Sequence, residues 1–509
     1  MQLWGTVVSD RRQIMKLKQV LADVKYELIQ GSLEKEVADI AYDSRKVKKD
    51  VMFVAIEGTV VDGHQFIDSA ISQGAGVIVV EKPVSVSDDN VTVILVKNGR
   101  EALSLMSAAY FDYPARKMIT IGITGTKGKS TTEHMIRDII EKSGKTCGII
   151  GTVGAFMNGK TIVTEHTTPE SYELQKIFAM MVENGCEYMV MEVSSQGIKM
   201  DRVAGIEFDY GVFTNISPDH IGPGEHKDFE EYLSCKAKLF ERCKVGIINK
   251  DDSHFEDIVK NATCKVMTFG VENDADVKGS HIEHVTQGGD LSMKFQAEGL
   301  LEGEVVVGLP GRFNVHNALC AACTGVALQM PKDVILHALE HVKVRGRVEA
   351  MPVSEDFSVL IDFAHNGISS ESVLSTLREY NPNRIISVFG CGGNRSKLRR
   401  YEMGEVIGRM SELAIITSDN PRREDVMDII EDIKVGMAKS NGNYVVIPDR
   451  EEAVAYALEH AQKGDMIVLL GKGHEEYQEI NGVKYHYSER EAIVKGMKKI
   501  YGKDFTYLL

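Results

Sequence analysis

A glycine-rich stretch that follows an apolar run has the residue types to hold a nucleoside triphosphate. Residues 124–131 read Thr-Gly-Thr-Lys-Gly-Lys-Ser-Thr and come directly after the apolar run 118–123. Backbone N–H groups of such a loop and the start of the next helix attract anions, while Lys129 can reach phosphate oxygens and Ser130 can bind Mg²⁺. The predicted nucleotide-binding residues are Gly125, Thr126, Lys127, Gly128, Lys129, Ser130 and Thr131. Residue 123 is Ile where the common spacing has Gly, so a chance glycine cluster and a distinct subclass of phosphate loop both remain open.

Two further side chains have the chemistry of metal ligands. Glu192 lies at the end of an apolar run of strand length, and a carboxylate beyond a phosphate loop suits Mg²⁺, which binds carboxylates, phosphate oxygens and water. His220 follows Asp219 after another apolar run and is interpreted as a further ligand or as a phosphate contact. The alternatives are a capping role for Glu192 and a structural role for His220.

The segment 419–422, Asp-Asn-Pro-Arg, combines a carboxylate, an amide and a guanidinium on one turn. Arginine pairs with a carboxylate through two hydrogen bonds and acids hold an ammonium group, so the segment suits a zwitterionic amino acid. An ordinary Asx-Pro turn is the alternative. Residues 391–395, Cys-Gly-Gly-Asn-Arg, resemble a second loop that an anion can approach closely, and the basic run 397–400 is predicted to be a solvated face.

The composition is typical of a globular protein and limits the classes of partner that the chain can bind. The 509 residues are 43% hydrophobic and 26% charged, a length that suits about three domains. The formal net charge of −15 argues against nucleic-acid binding, and the apolar runs are too short for insertion into a membrane. The first residues lack the pattern of a signal peptide and the eight cysteines are scattered, which predicts a cytoplasmic protein with reduced thiols. Cys320 and Cys323 are expected to pack in a core.

Apolar runs of strand length alternate with helical stretches, which predicts α/β domains with mostly parallel sheets. The predicted domains span 1–115, 116–344 and 345–509. Ligands of parallel sheets bind beyond the carboxyl ends of the strands, where this chain has charged or glycine-rich clusters, so we expect a cleft between the second and third domains. Besides 118–123, the predicted strands are 51–56, 76–80, 91–96, 188–193, 211–216, 245–249, 359–362, 384–390, 413–418 and 466–470.

A series of motifs resembles those of the Mur ligases, the ATP-dependent amide-forming enzymes of peptidoglycan synthesis. In chain order the motifs are 43–45, 53–55, 62–64, 124–131, 166–171, 192–195, 311–318, 346–347, 362–365 and 471–475. The phosphate loop of that family also lacks the first Gly. The resemblance implies an N-terminal α/β UDP-binding domain, a central P-loop parallel-sheet ATP-binding domain and a C-terminal Rossmann-like α/β domain, with ATP and Mg²⁺ as cofactors.

The resemblance also implies roles for single residues. The implied catalytic residues are Lys129, Glu192, His220 and Lys236. The implied metal ligands are Ser130, Glu192, His220 and a carbamylated Lys236, which without the family pattern looks like any lysine on a helix surface. The implied further nucleotide contacts are Asn317, Arg347 and Asp362. The implied contacts of the UDP-muramyl acceptor are Ser44, Thr167, Thr168, Ser194 and Arg202.

The reaction implied by the resemblance adds a diamino acid, through an acyl phosphate, to the UDP-muramyl dipeptide UDP-MurNAc-L-Ala-D-Glu. The implied amino-acid contacts are Arg395, Asp419, Asn420, Arg422, Gly471 and Glu475. Lysine has no second carboxylate to pair with Arg422, so this set favours meso-2,6-diaminopimelate. A monomer is expected.

Departures from the family pattern cluster around the acceptor, at Gln196, Met200 and Asn366. They leave open a paralogue that adds lysine or another amino acid, or that uses a different acceptor. A folylpolyglutamate synthase shares the ligase core, but the segment 419–422 and the N-terminal motifs count against it. A non-catalytic protein that binds a nucleotide or a UDP-sugar is the remaining alternative.

Overall fold

The computed structural model describes residues 14–58, 61–222, 225–287 and 290–509. The chain forms two compact units. The first contains the residues up to Asp276 together with Cys323–Met330, and the second contains Val277–Ala322 and Pro331–Leu509. The predicted domain boundaries at 115/116 and 344/345 stay a prediction. No helix in the described residues is long and apolar enough to cross a bilayer.

The first part of the first unit is built on a five-stranded sheet in the described residues, with the strand order β2-β7-β6-β5-β4. The strands from β4 to β7 pair in parallel, and β2 is antiparallel to β7. The strands are β1 Met15–Lys16, β2 Tyr26–Gln30, β3 Glu36–Val37, β4 Asp39–Ala41, β5 Val51–Val54, β6 Val77–Val80 and β7 Thr92–Val96. The helices are α1 Leu17–Val20, α2 Ile67–Ser72 and α3 Gly99–Tyr110, with 3-10 turns at Ser44–Lys46, Gly63–Phe66 and Pro114–Lys117.

A second sheet of the first unit carries the phosphate loop, and its strand order is β11-β10-β9-β12-β8-β13-β14-β15. Strands β9 to β15 along this order are parallel, and β10 and β11 form antiparallel pairs at the edge. The strands are β8 Ile119–Thr124, β9 Cys147–Gly151, β10 Gly154–Met157, β11 Lys160–Ile162, β12 Tyr188–Glu192, β13 Phe208–Phe213, β14 Cys243–Asn249 and β15 Lys265–Gly270. The helices are α4 Lys129–Lys142, α5 Ser171–Glu183, α6 Ser195–Lys199, α7 Phe229–Ala237 and α8 Phe255–Val259, with a 3-10 turn at Lys238–Glu241.

The register of this sheet places Glu192 beside the phosphate loop. Glu192 is paired with Ile123 across β12 and β8, so both strands end at the same edge. The prediction for 211–216 was wrong in its bounds, because β13 begins at Phe208 and ends at Phe213. The residues after Phe213 leave the sheet to hydrogen-bond the phosphate loop, as described below.

The second unit contains an antiparallel group, β16-β17-β18, and a six-stranded sheet in the order β19-β20-β24-β21-β22-β23. The six-stranded sheet is parallel except for β19. Its strands are β19 Glu349–Met351, β20 Ser358–Asp362, β21 Ile385–Phe389, β22 Leu413–Ile416, β23 Tyr444–Val446 and β24 Met466–Leu470. The other strands are β16 Val277–Gln287, β17 Asp290–Gly299, β18 Gly303–Val307, β25 Tyr477–Ile480 and β26 Val483–His486. The remaining helices are α9 Arg312–Ala327, α10 Lys332–Glu340, α11 Gly367–Arg378, α12 Lys397–Met410, α13 Val426–Ser440, α14 Arg450–Glu459 and α15 Glu489–Tyr501, with a 3-10 turn at Thr506–Leu508.

The six-stranded sheet is buried on both faces, which explains why its strands read as continuous apolar runs. On β21, Ile385 and Phe389 pack into the core on one face, and Ile386 and Val388 pack into the core on the other. Cys320 and Cys323 are fully buried on α9, which confirms their predicted place in a core. All eight cysteines are free thiols.

Helices α12 and α13 pack backbone to backbone at glycines. A Cβ atom at Gly436 would lie 2.0 Å from the carbonyl oxygen of Tyr401, and one at Gly404 would lie 2.3 Å from that of Ile433. Any side chain at these positions would push the two helices apart. The crossing fixes α12, which begins at Lys397, two residues after the end of the loop 391–395.

Replacing Gly436 with Ala is expected to lower the free energy of unfolding by about 1–3 kcal/mol, because the added methyl group overpacks the helix crossing. Urea unfolding of the purified protein measures this change. Val435→Ala, at an exposed position of the same helix, is the matched control and should change the free energy by less than about 0.5 kcal/mol. Equal losses in the two variants would contradict the close approach at Gly436.

Candidate active site

The phosphate loop has the backbone geometry of an anion site. Gly125 has φ 149° and Gly128 has φ 84°, and Gly128 caps the N-terminus of α4. The Thr126 N–H donates to the carbonyl oxygen of Asn215 at 2.8 Å, which fixes the loop to the end of the neighbouring strand. The Lys129 Nζ lies 3.0 Å from the carbonyl oxygen of Gly125, inside the curve of the loop. An ammonium group held over a helix N-terminus is suited to bind phosphate oxygens.

Thr214 and Asn215 support this loop, and sequence reasoning did not assign them to the site. The Thr214 hydroxyl donates to the carbonyl oxygen of Lys127 at 2.7 Å. The Asn215 side chain both donates to that oxygen at 3.0 Å and accepts from the Lys127 N–H at 3.0 Å. A Cβ atom at Gly125 would lie 1.9 Å from the Thr214 hydroxyl, so only Gly fits there. The signal in the sequence that could have identified them is their position directly after a strand that pairs with β8.

Ser130 and Glu192 form the pair expected of a magnesium site. The Ser130 hydroxyl donates to Glu192 Oε1 at 2.7 Å, and the Thr152 N–H donates to the same oxygen at 3.0 Å. Glu192 is buried, so its carboxylate is fixed in place. A hydroxyl and a carboxylate beside a phosphate loop are hard oxygen ligands, which fit Mg²⁺. In the described ranges no three His, Cys, Asp or Glu side chains form a metal cluster, and the predicted ligand set mixes residue types.

Glu133 is a second acid at this point that sequence reasoning missed. A Cβ atom at Gly151 would lie 2.5 Å from Glu192 Oε1 and 2.8 Å from Glu133 Oε2, so the two carboxyl groups are neighbours. Burial, and then the charge of Glu192, raises the pKa of Glu133 well above its usual range. Glu133 lies three residues after Ser130 on α4, on the same helix face, which was the signal in the sequence.

Lys236 is buried, which corrects its reading as a lysine on a helix surface. Its Nζ donates to the carbonyl oxygen of Gly125 at 2.8 Å and lies 4.5 Å from the ring centroid of Tyr232. Burial, and then the charge of Lys129, lowers the pKa of Lys236 well below its usual range. Because only a neutral amine is a nucleophile, this environment favours reaction of Lys236 with an electrophile such as CO₂.

His220 lies near this group but outside its hydrogen bonds. It has φ 54°, its side chain is half exposed, and its Nδ1 is 3.0 Å from Glu225 Oε1. Tyr232 connects the two regions, because its ring centroid is 6.1 Å from that of His220 and its hydroxyl is 3.0 Å from Thr126 Oγ1. The structure therefore brings Lys129, Ser130, Glu192 and Lys236 around one loop, with His220 at its margin.

The predicted acceptor contacts form one network with Glu192. The Thr168 hydroxyl donates to the Glu192 carbonyl oxygen at 2.9 Å and accepts from the Ser194 N–H at 2.9 Å. Arg202 donates to the carbonyl oxygen of Thr168 at 3.0 Å and forms an ion pair with Glu170 at 2.6 Å. These bonds fix the segments that would face an acceptor carboxylate.

The other acceptor contacts lie at the edge of this network. The Thr167 and Thr152 hydroxyls are 3.3 Å apart. Ser44 begins the first 3-10 turn. The hydroxyl of Tyr42, which follows β4, donates to Glu173 on α5 at 2.8 Å. The Gln196 amide nitrogen is buried with no hydrogen-bond partner in the described residues.

In the second unit, Asp362 holds the turn that precedes β19. Its two carboxylate oxygens accept the N–H groups of Val348 at 2.8 Å and Ala364 at 2.7 Å. Burial raises the pKa of Asp362. Arg347 lies in this turn, with its guanidinium 5.5 Å from the ring centroid of Phe363. Nucleotide contacts by Asp362 and Arg347 stay a prediction, as does one by Asn317, whose amide donates to Asn314 Oδ1 at 2.9 Å.

The predicted amino-acid contacts line one cavity of about 180 Å³ in the second unit. The Asn420 amide donates to Glu475 Oε2 at 2.9 Å, which connects the segments 419–422 and 471–475. A Cβ atom at Gly471 would lie 2.5 Å from Asp419 Oδ2, so the chain there must be Gly for the two segments to meet. The lining residues are Phe363, His365, Gly390, Cys391, Gly392, Arg395, Ser396, Arg399, Arg400, Asp419, Asn420, Arg422, Gly471 and Glu475.

Comparison with known proteins agrees with this geometry. Three family models match: "Mur ligase family, catalytic domain" at 36–111, "Mur ligase middle domain" at 123–325 and "Mur ligase, glutamate ligase domain" at 346–473. The chain is 43% identical over 491 residues to UDP-N-acetylmuramoyl-L-alanyl-D-glutamate–2,6-diaminopimelate ligase 1 of Clostridium acetobutylicum, with 96% of this chain and 100% of the relative covered. It belongs to the Mur ligase family.

Two further similarities extend over nearly the whole Mur ligase chain. The 2,6-diaminopimelate ligase of Clostridium perfringens is 42% identical over 486 residues, which cover 94% of this chain and 99% of the relative. A solved structure of a UDP-N-acetylmuramoyl-L-alanyl-D-glutamate–2,6-diaminopimelate ligase matches with a TM-score of 0.72 and 26% identity, and covers 96% of this chain and 99% of that one. The predictions of the family, of its three-domain α/β architecture and of a ligase are confirmed.

The cavity of this Mur ligase has a mixed charge. Arg422 donates to the carbonyl oxygen of Gly393 at 2.7 Å and lies 3.4 Å from Glu479. Arg395 is exposed, and neither it nor Arg399 has a carboxylate partner in the described ranges. Arginines for carboxylates and acids for ammonium groups therefore stand around one space, as a diamino acid requires.

Two basic residues of this site differ from what the sequence predicted. Arg400 was assigned to a solvated face with its neighbours, but it is buried and pairs with Glu424 at 2.8 Å and Asp432 at 2.9 Å. Lys472 was not singled out, yet its buried ammonium donates to Asn420 Oδ1 at 2.8 Å. It also lies 3.1 Å from Glu475 Oε2, so it holds both sides of the cavity.

Proposed function

We propose that this Mur ligase adds meso-2,6-diaminopimelate to UDP-MurNAc-L-Ala-D-Glu, with conversion of ATP to ADP and phosphate. The cavity lined by both acids and arginines is the observation that carries this proposal, because arginines can pair with the carboxylates of diaminopimelate and the acids can hold its ammonium group. The names of the Clostridium relatives support the same acceptor and the same amino acid. Those names apply to the relatives themselves, and the cavity is the reason for proposing the same substrates for this chain.

The reaction would proceed through an acyl phosphate. A carboxylate oxygen of the D-glutamate residue attacks the γ-phosphorus of ATP, the bond to the β-phosphate oxygen breaks, and ADP leaves. The diaminopimelate amine then attacks the acyl carbon, loses a proton, and phosphate leaves as the amide forms. Lys129 and the amides of residues 125–131 would hold the transferred phosphate, and alignment of reactants in this way is worth roughly 7–11 kcal/mol of barrier.

Magnesium would be held by Ser130, Glu192, His220 and the carbamate of Lys236. It would neutralise charge on the phosphate oxygens. The carbamate forms when the neutral Lys236 amine attacks CO₂ and releases a proton. The lowered pKa of Lys236 and its place 2.8 Å from the Gly125 carbonyl oxygen support this modification.

We also propose that the enzyme acts in the cytoplasm and as a monomer. UDP- and ATP-linked substrates and eight free thiols support the location.

Lys129→Ala tests the ligase proposal. We expect amino-acid-dependent phosphate release, measured with ATP, Mg²⁺, the UDP-muramyl dipeptide and diaminopimelate, to fall about 100- to 1,000-fold, because a charge beside the transferred phosphate is lost. Lys142→Ala, at the far exposed end of α4, should retain the wild-type rate. If the wild-type protein released no phosphate with any diamino acid, the proposed pair of acceptor and amino acid would be wrong.

The carbamate is tested by ¹³C NMR in ¹³C-bicarbonate. One carbamate signal per chain is expected near pH 7.5, and it should weaken as acid protonates the amine. Lys236→Met should remove the signal, whereas Lys238→Met, at an exposed position two residues later, should keep it. A signal that survives in Lys236→Met would assign the modification to another lysine.

Arg422→Gln tests the choice of amino acid. The KM for diaminopimelate is expected to rise about 10- to 100-fold, because a charge-assisted hydrogen bond to the distal carboxylate is lost. Turnover of L-lysine, which lacks that carboxylate, should change by less than about twofold. Arg423→Gln, an exposed neighbour, is the matched control. Equal losses with both amino acids would show that Arg422 only shapes the turn.

A further inference from the structure

The two segments that would grip the amino acid begin at the ends of two strands that are not neighbours. Asp419 follows β22, and Gly471 follows β24 directly. Strand β21 lies between β22 and β24 in the sheet, so no β-ladder hydrogen bond joins these two strands in the described residues. Pairing with β21 sets the spacing of the two strands, and beyond the end of β21 the bases of the two segments need a connection of their own.

Arg450 makes this connection. At the first position of α14, its NH1 donates to the carbonyl oxygen of Ser418 at 3.1 Å, and its NH2 donates to that of Leu470 at 2.8 Å. Ser418 directly precedes Asp419, and Leu470 directly precedes Gly471. One guanidinium therefore reaches across the end of β21 and joins the bases of both segments.

The guanidinium is itself held rigidly. Its Nε and NH2 donate to Glu489 Oε1 at 3.0 and 2.6 Å, and the other Glu489 oxygen accepts from the Tyr487 hydroxyl at 2.6 Å. The Arg450 and Glu489 side chains are 0% and 1% exposed, so water does not compete for these bonds. A planar guanidinium with four fixed hydrogen bonds sets a distance, which a flexible lysine would not do.

The geometry of the cavity depends on that distance. Gly471 must approach Asp419 closely, and Asn420 must reach Glu475 at 2.9 Å, for the two segments to form one wall. Arg450 lines no part of the cavity, so it acts on the amino acid only through the segments that it joins.

We propose that Arg450, fixed by Glu489, is a positioning residue that sets the spacing between residues 419 and 471 and thereby selects the incoming amino acid. The proposal deepens the function proposed above and rests on it. A change of about 1 Å in this spacing misplaces the amine relative to the acyl phosphate.

Arg450→Lys and Glu489→Gln are the test variants. Each is expected to raise the KM for diaminopimelate about tenfold or more and to reduce the preference for diaminopimelate over L-lysine, while the KM for ATP changes less than about twofold. Glu489→Gln keeps the shape of the side chain, so the KM and the amino-acid preference can be measured on this variant if Arg450→Lys does not fold.

Arg384→Lys is the matched control. Arg384 pairs with Asp465 at 2.5 Å and donates to the His460 carbonyl oxygen at 3.0 Å, at the amino ends of β21 and β24. This ion pair lies at the opposite edge of the same sheet. The Arg384→Lys variant should therefore lower Tm without changing the KM for diaminopimelate. If Arg450→Lys lowered Tm and left the KM and the amino-acid preference as in Arg384→Lys, Arg450 would be a stabilising residue only.

A crystal structure of Arg450→Lys separates this inference from the proposed function. A wider or displaced spacing between residues 419 and 471 is expected whether or not the wild type turns over diaminopimelate. An unchanged spacing would overturn the positioning role. A wild-type protein that uses no diamino acid would instead overturn the proposed function.

Discussion

Buried charges at the carboxyl ends of parallel strands must be compensated, and much of both units is arranged to do so. An uncompensated buried ion costs several kcal/mol, whereas a hydrogen-bonded pair recovers most of that cost. Glu192 obtains the Ser130 hydroxyl and a backbone N–H, and Arg450 obtains Glu489 and two carbonyl oxygens. These partners come from neighbouring strands and helices, so satisfying the charges also fixes the loops that carry them.

In the first unit, the same constraint lowers the pKa of Lys236. Lys236 has a carbonyl oxygen and an aromatic ring as partners, neither of which supplies a full negative charge, and Lys129 adds repulsion. Its amine is therefore easier to deprotonate than an exposed lysine. A carbamate at this position would convert a destabilising cation into an anion, which a cation bound beside Ser130 and Glu192 could compensate.

The sequence predicted local structure better than it predicted burial. The phosphate loop and the strand 466–470 follow from apolar runs and glycine spacing, which are local signals. The burial of Arg400 depends on Glu424 and Asp432, 24 and 32 residues away, so a basic run in the sequence gave no sign of it. The burial of Lys236 was missed for the same reason, because its partner Gly125 lies 111 residues away in the sequence. Strand β13 ends at Phe213, before its predicted end, and the Thr214 hydroxyl that follows donates to the Lys127 carbonyl oxygen in the phosphate loop.

Two kinds of arginine can be distinguished in the second unit: those that are buried against acidic residues and those that have no acidic partner among the described residues. Arg400 and Arg450 are buried against acids, so they add no free positive charge to the cavity and serve to hold its walls. Arg395 and Arg399 are exposed at the rim without acidic partners among the residues described, and their charge is available to an anion. A protein with a net charge of −15 can therefore attract a carboxylate-bearing amino acid at one place, because these unpaired guanidinium groups add positive charge there.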